Sequence, residues 1–427
     1  MVIEFSVKNF YSIKEEAVLS FEASYSDDLE DYYVVEPRDG MRLLKLGLIY
    51  GANASGKTTV LRALDFVREL VLNPLDKKTD ELDFKPFLFD ENTPFENTHF
   101  ALSFVQNKVK YLLQLELNKK AIVSEKLYFF SPNKALVYER STDVVHQVSR
   151  IVFGSKIKAD KKYKNILEAN TLWNNTVLGG FLKTNFNSSE MQECIDWFEE
   201  KLKPMITPRT NLLGFISEKI NSNEINKQSV VDILRKADFN ISDVILKRED
   251  EDLNDYLTGV VRESTPRYGN ISIDREVFFR HKIGDHHRGY ALPYKEESRG
   301  TQRYFQFSGL LDYMIKNKTI FLIDELESSL HPDLLRHFLL SFLTNTAGAQ
   351  LIATTHYREL LMERDIFRND AIWFTEKDAK GGTELFSLND FDSSVVRNTS
   401  SIFNAYKIGK LGAVPQLDDY YISREEG

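Results

Sequence analysis

The residues best suited to chemistry stand together at positions 51–58, which read Gly-Ala-Asn-Ala-Ser-Gly-Lys-Thr. They fill every fixed position of the pattern G-x-x-x-x-G-K-[ST]. Gly51 and Gly56 let the backbone turn sharply and approach a phosphate closely. The N–H groups of such a loop point inward beside a helix N-terminus and form a nest for an anion. Lys57 is expected to reach the β- and γ-phosphates of ATP, and Thr58 to offer its hydroxyl to Mg2+. The expected nucleotide contacts are Asn53, Ala54, Ser55, Gly56, Lys57, Thr58 and Thr59. An apolar run ending at Tyr50 precedes the loop and an amphipathic stretch follows it, the context that the pattern needs.

A second candidate is the stretch TIFLIDELESSLHP, in which an apolar run, Ile320 to Ile323, ends in Asp324 and Glu325. Ionised carboxylates are costly beside a core, so two of them at the end of a buried strand call for a reason. A magnesium ion with its water shell supplies one. Asp324 is then expected to hold the metal, directly or through a water, and Glu325 to polarise a water for in-line attack on the γ-phosphate. The competing explanation is that both acids favour the start of the helix after them. The phosphate-binding loop in the same chain shifts the weight to the metal.

Two further segments end in polar tips. AQLIATTH finishes with Thr354, Thr355 and His356. A lone histidine is more often structural than catalytic. Here it follows a second strand of the same kind, so it belongs at the sheet edge where ligands of open α/β sheets collect. A neutral imidazole at that place could bond to the γ-phosphate or to the attacking water. Residues 297–303 read Glu-Ser-Arg-Gly-Thr-Gln-Arg ahead of a helix. Ser298, Gly300 and the N–H groups that follow, including that of Thr301, could form a second anion site. Taken alone, an ordinary helix cap explains this turn better.

The elements that must position these groups are legible in outline. Ile3, Phe5 and Val7 alternate with polar residues, as in a half-buried strand, and AVLSFEA follows. Residues 24–40 are polar and acidic and predict a loop. Val60, Leu64, Val67 and Val71 are spaced for one face of a helix, which Asn73-Pro74 ends. Residues 84–140 predict antiparallel hairpins. The charged, Asn-rich stretch 155–262 predicts helices without a sustained heptad, and residues 268–296 predict hairpins again. From Thr301 the text alternates helix and strand. The expected fold is α/β: a P-loop head with a mixed sheet flanked by helices, an antiparallel β lobe and a helical insertion. Its expected division is 1–150, 151–265 and 266–427, with the head split between the first and last parts.

Composition narrows the classes. The 427 residues include 42% hydrophobic and 28% charged, which excludes a disordered chain. One cysteine, Cys194, excludes a disulfide framework or a cysteine-rich zinc site. No apolar stretch is long enough to span a bilayer, and the first ten residues are not a signal peptide, so a cytoplasmic location with no membrane partner is expected. The 55 basic and 64 acidic residues give a net charge of −9, which argues against a chain coated for bulk nucleic-acid binding while leaving a local basic groove open. Adjacent histidines in HKIGDHHRG, with His281, Asp285, His286 and His287, more often face solvent than a metal. The basic residues of 158–164 are best explained as a solvated helix face, and the 30 Phe and 19 Tyr as core.

Taken in order, the loop, the Ser-Gly turn, the acidic strand end, SSLH and the terminal His resemble the ATP-binding cassette class of P-loop ATPases. IEFSVKNFYSI, ESRGTQR, DELESSLHP, TTHYRELL and YKIGKLGAVP resemble more closely the soluble abortive-infection ATPases called AbiLi-like or RloA-like, near the overcoming-lysogenization-defect group and distant from the chromosome-structural and DNA-repair ATPases. The resemblance covers about residues 1–140 and 290–415. It implies a homodimer or higher oligomer in which Ser298, Gly300 and Thr301 of one subunit act on ATP held by the other's loop. It also implies that Ser329 and His331 approach the partner's nucleotide, that Glu325 is the catalytic carboxylate and that His356 is the switch histidine. The implied role is an ATP-hydrolysing switch in bacterial antiviral defence. Glu297 stands where transporter ATPases usually have Leu, and neither Gln106 nor Gln114 has the surroundings of a glutamine loop. After His356 no spaced acidic cluster or Cys-His pair reads as a nuclease, so an effector, a nuclease or toxin, is expected in trans. A nearly inactive ATP-bound scaffold and a DNA-repair-like nucleic-acid clamp are the alternatives.

Overall fold

Near-continuous apolar runs become the buried parallel strands that carry the candidate residues, as such strands require. The computed structural model describes residues 1–158, 160–248, 275–282, 290–363, 365–391 and 402–414. Strand β1 (Val2–Lys8) and strand β2 (Ala17–Ser20) pair antiparallel, as the alternation predicts. Residues 24–40, expected as a loop, instead form a helical turn, Glu30–Tyr33, and strand β3 (Val34–Arg38). Their polar text conceals two anchors. Tyr33 is fully buried, and β3 pairs with β4 (Met41–Leu44).

Strand β5 (Leu46–Gly51) is buried along its whole length and feeds the loop and then the helix Lys57–Leu72. That helix buries Val60, Leu64, Val67 and Val71 on the predicted face, and its end is capped at Asn73, whose N–H donates to the Glu69 carbonyl. The text at 84–153 yields β6 (Thr98–Gln106), β7 (Val109–Leu117), β8 (Ile122–Phe130), β9 (Lys134–Asp143) and β10 (Val148–Phe153). With β1 and β2 they form an antiparallel seven-stranded sheet in the order β10-β9-β8-β7-β6-β1-β2. Phenylalanines make its core, with Phe10 packed against Phe66, Phe84 and Phe100.

The helical expectation for 155–262 holds through Lys161–Asn170, Val177–Leu182, Ser189–Asp196, Leu213–Asn221 and Lys227–Lys236. It fails at Ile241, where β11 (Ile241–Arg248) begins and pairs with β12 (Arg275–His281), itself paired with β13 (Tyr290–Pro293). Ile241, Val244 and Ile245 are buried, a spacing that serves a strand here as well as a helix. The rest of that stretch, 249–262, lies outside the described residues.

The last part gives the helix Arg299–Asn317, β14 (Ile320–Ile323), the helix Pro332–Asn345, β15 (Gln350–Thr354), β16 (Ile372–Lys377) and β17 (Thr383–Ser387). The second large sheet runs β14-β15-β5-β16-β17. Its first four strands are parallel and β17 is antiparallel, so the sheet is mixed as expected.

The chain divides into two compact units. One comprises residues 1–205, 320–325 and 350–427, and the other 206–319 and 326–349. The helices of 151–265 are shared out between them, those up to Asp196 in the first and those from Leu213 in the second. In the first unit a buried glutamine joins the two large sheets. Gln350, at the start of β15, accepts from the Val2 N–H at 2.7 Å and donates to the carbonyls of Val2 and Leu44 at 2.9 and 3.1 Å.

Candidate functional site

Strand β5 lies between β15 and β16, so its C-terminal end opens where the ends of three parallel strands meet. The loop leaves β5 under tight constraint. A Cβ at Gly51 would stand 2.5 Å from both Ser55 Oγ and Thr375 Oγ1. Gly56 has a φ of +108°, and a Cβ there would stand 2.1 Å from Thr383 Oγ1. Only glycine tolerates both demands. Lys57 is buried, and its ammonium donates to the carbonyls of Gly51 and Ala52, each at 2.9 Å. The cation is thus folded back over the loop that a phosphate would occupy.

Asp324 follows β14 and is buried, with 7% of the residue exposed. Thr58 Oγ1 donates to it at 3.0 and 3.1 Å. Thr354, the last residue of β15, donates from Oγ1 to Asp324 Oδ1 at 2.7 Å and accepts the Glu325 N–H at 2.8 Å. Glu325 adopts a left-handed φ of 48° and is exposed. His356, two residues beyond β15, is also exposed. Asn53, Ala54, Gly56, Lys57, Thr58 and Thr59 line one cavity of about 500 Å³ together with Asp324, Glu325, His356 and Ser12.

Ser55 faces the other way. Its Oγ is 2.6 Å from Thr375 Oγ1 of β16. The β16–β17 hairpin braces the loop from that side, since Thr383 Oγ1 donates to the Ser55 carbonyl at 2.8 Å and lies 2.9 Å from Ser12 Oγ. Lys377 donates to Thr383 Oγ1 at 3.1 Å, and burial lowers its pKa below that of an ordinary lysine against the pull of Asp378. Ser12 also donates to Thr59 Oγ1 at 3.1 Å. Sequence reasoning missed the parts played by Ser12, Thr354, Thr375 and Thr383. Thr354 was visible as part of a polar strand tip and Ser12 as part of the opening NFYSI. Thr375 and Thr383 carry no local pattern.

Ser298, Gly300 and Thr301 belong to the second unit. Ser298 caps the helix Arg299–Asn317 by accepting the Thr301 N–H at 3.0 Å. Glu297 is held by His281, with Nε2 and Oε1 2.6 Å apart. Asp285, His286 and His287 lie outside the described residues. Among the described residues no group of three or more His, Cys, Asp or Glu could hold a metal ion. Ser329 has a φ of 65°, and His331 caps the helix Pro332–Asn345. Neither Gln106 nor Gln114 lines the cavity. Among the described residues no helix is long and apolar enough to cross a membrane.

A phosphate-binding loop between β5 and its helix, faced by an acidic residue at the end of a parallel strand in the same sheet, defines the fold of a P-loop ATPase. A family model described as "AAA domain, putative AbiEii toxin, Type IV TA system" matches residues 48–363, and the chain belongs to that family. No curated protein sequence matches. Among solved structures, the chain is similar to an SMC head domain from Thermotoga maritima, with TM-score 0.42 and 13% identity over 90% of this chain and 98% of that one. It is also similar to an Smc head domain with an extended coiled coil bound to the C-terminal domain of ScpA, derived from Pyrococcus furiosus, with TM-score 0.42 and 10% identity over 96% and 98%.

Proposed function

We propose that this chain binds ATP with Mg2+ and hydrolyses it, as the switch subunit of a cytoplasmic bacterial antiviral system that works as a dimer on an effector supplied in trans. The observation that carries this reading is the convergence of Lys57, Thr58, Asp324, Glu325 and His356 on one cavity. The donor set suits magnesium. Asp324 is a hard oxygen ligand kept nearly out of water, and the hydroxyls of Thr58 and Thr354 already turn toward it. Thr58 and Asp324 are the residues that would hold the ion, which when bound neutralises phosphate charge. The loop's N–H groups and Lys57 bind the β- and γ-phosphates. Glu325 orients a water and takes up its proton as it attacks, and His356 donates toward the γ-phosphate.

The antiviral role, the dimer and the effector are supported by the family resemblance and by the AbiEii and toxin–antitoxin terms in the description of the family model. ATP favours the joined state if part of its contacts exists only there.

Steady-state turnover of three proteins tests the enzyme. Wild type is expected to release phosphate from Mg-ATP. Lys57→Ala is expected to lose ATP affinity, and Glu325→Gln to keep ATP bound while turning over about 100- to 10,000-fold more slowly. Wild-type turnover in Glu325→Gln would remove that carboxylate from the mechanism.

A further inference from the structure

We infer that Thr354 is a positioning residue that sets the two carboxylates of the site through one hydroxyl, an inference that rests on the ATPase reading above. The hydroxyl is fully buried at the end of β15. It donates its single proton to Asp324 Oδ1, at 2.7 Å, and accepts the Glu325 N–H on one of its lone pairs, at 2.8 Å. Asp324 Oδ1 also takes the Thr58 hydroxyl, at 3.0 Å, so the carboxylate is held from the loop side and from the sheet side at once. The Glu325 N–H needs its partner for another reason. Its φ of 48° is a conformation that a glutamate rarely adopts, and it persists only where surrounding bonds fix it. That backbone turn brings Glu325 to the cavity wall beside Lys57 and His356.

Thr354 therefore couples strand β15, which leads into His356, to the strand end that presents Asp324 and Glu325. Parallel pairing fixes the register, with Ile323 opposite Ala353, so the next residue on each strand meets the other across the sheet edge. Valine would keep the β-branch and the volume while removing both bonds, and serine would keep the hydroxyl while losing a methyl.

The test measures kcat, KM for ATP, affinity for a fluorescent ATP analogue with and without Mg2+, and the unfolding midpoint, in wild type, Thr354→Val and Thr354→Ser. In Thr354→Val, kcat is expected to fall at least about tenfold with KM within about threefold, as for an interaction that matters in the transition state. The gain in analogue affinity that Mg2+ gives in wild type is expected to shrink in this variant, while the Mg2+-free affinity stays as it is. Thr354→Ser is expected to recover most of kcat and of the Mg2+ effect. Should Thr354→Val fail to fold, Thr354→Ala carries the same expectation. Wild-type kcat in the folded Val or Ala variant, or a Ser variant as slow as either, overturns the positioning role alone. Wild type with no turnover above Lys57→Ala overturns the ATPase reading, and this inference with it.

Discussion

Gly56 shows how little room the site leaves a single residue. Its φ of +108° disfavours any side chain, and a Cβ would meet Thr383 at 2.1 Å from Oγ1 and 2.6 Å from Cγ2. Thr383 cannot retreat cheaply, because its hydroxyl also bonds Ser12 and the Ser55 carbonyl. Gly56→Ala is therefore expected to push the loop off its brace and weaken ATP binding at least about tenfold, or about 1.4 kcal/mol. Gly214→Ala is the matched control, since a Cβ there meets nothing within 4 Å. Titration with a fluorescent ATP analogue reads both, and equal affinities in the two variants would contradict the strained fit at Gly56. The two residues also mark what the sequence could convey. Gly56 is legible because Gly51, Lys57 and Thr58 stand at fixed spacings around it. Thr383 was not, because it reaches the loop from 328 positions away through the β16–β17 hairpin. Thr354 lies 30 positions from Asp324, and only the register of β14 on β15 joins them.

Elements are legible in the sequence where one period governs them and hidden where a distant anchor does. The helix Lys57–Leu72 follows from the spacing of four valines and leucines. Residues 24–40 offered no such period, yet two charged residues far along the chain pin their first turn. Asp370 Oδ2 accepts the N–H and hydroxyl of Ser24 at 2.8 and 2.7 Å. Arg368 bonds Asp370 at 2.9 Å and reaches the carbonyls of Ser26 and Asp28. The Arg368 and Asp370 side chains are only 1% and 7% exposed. Breaking a buried pair strands a charge, so Arg368→Met is expected to cost about 3–5 kcal/mol in urea unfolding. The pair also predicts a pH limb. Burial raises the Asp370 pKa, but its bonds to Arg368 and Ser24 outweigh that and leave it below the ordinary value of 3.8. The folded state then prefers the ionised form more strongly than the unfolded chain does. The stabilisation is complete above pH 3.8 and is lost as pH falls through the lower, folded value. Unfolding free energies measured between pH 2 and 6, in urea series, should show that loss in wild type and a flatter acid limb in Arg368→Met. Parallel profiles would mean that Arg368 does not set the Asp370 titration.

For the whole molecule, the question is which loop the Ser298 turn serves. The cavity at the phosphate-binding loop is lined from within the first compact unit, whereas Ser298, Gly300 and Thr301 belong to the second. The turn is capped by its own serine, and a Cβ at Gly300 would be in ordinary contact with the Ser329 carbonyl oxygen, at 3.5 Å. Under the dimer proposal the turn serves the nucleotide of another copy. Glu325→Gln with ATP is then expected to double in mass, and Lys57→Ala to remain a single chain. Mass alone does not say which turn meets which loop, but complementation does. Lys57→Ala lacks a working loop and keeps its turn; Gly300→Arg keeps its loop and loses its turn. Each should be inactive alone. In a two-fold dimer formed from both, each mixed assembly rebuilds one of its two sites. Turnover should return, to at most about half of wild type per chain. If the turn instead serves the loop of its own chain, no mixture can restore activity, because every chain carries one broken half.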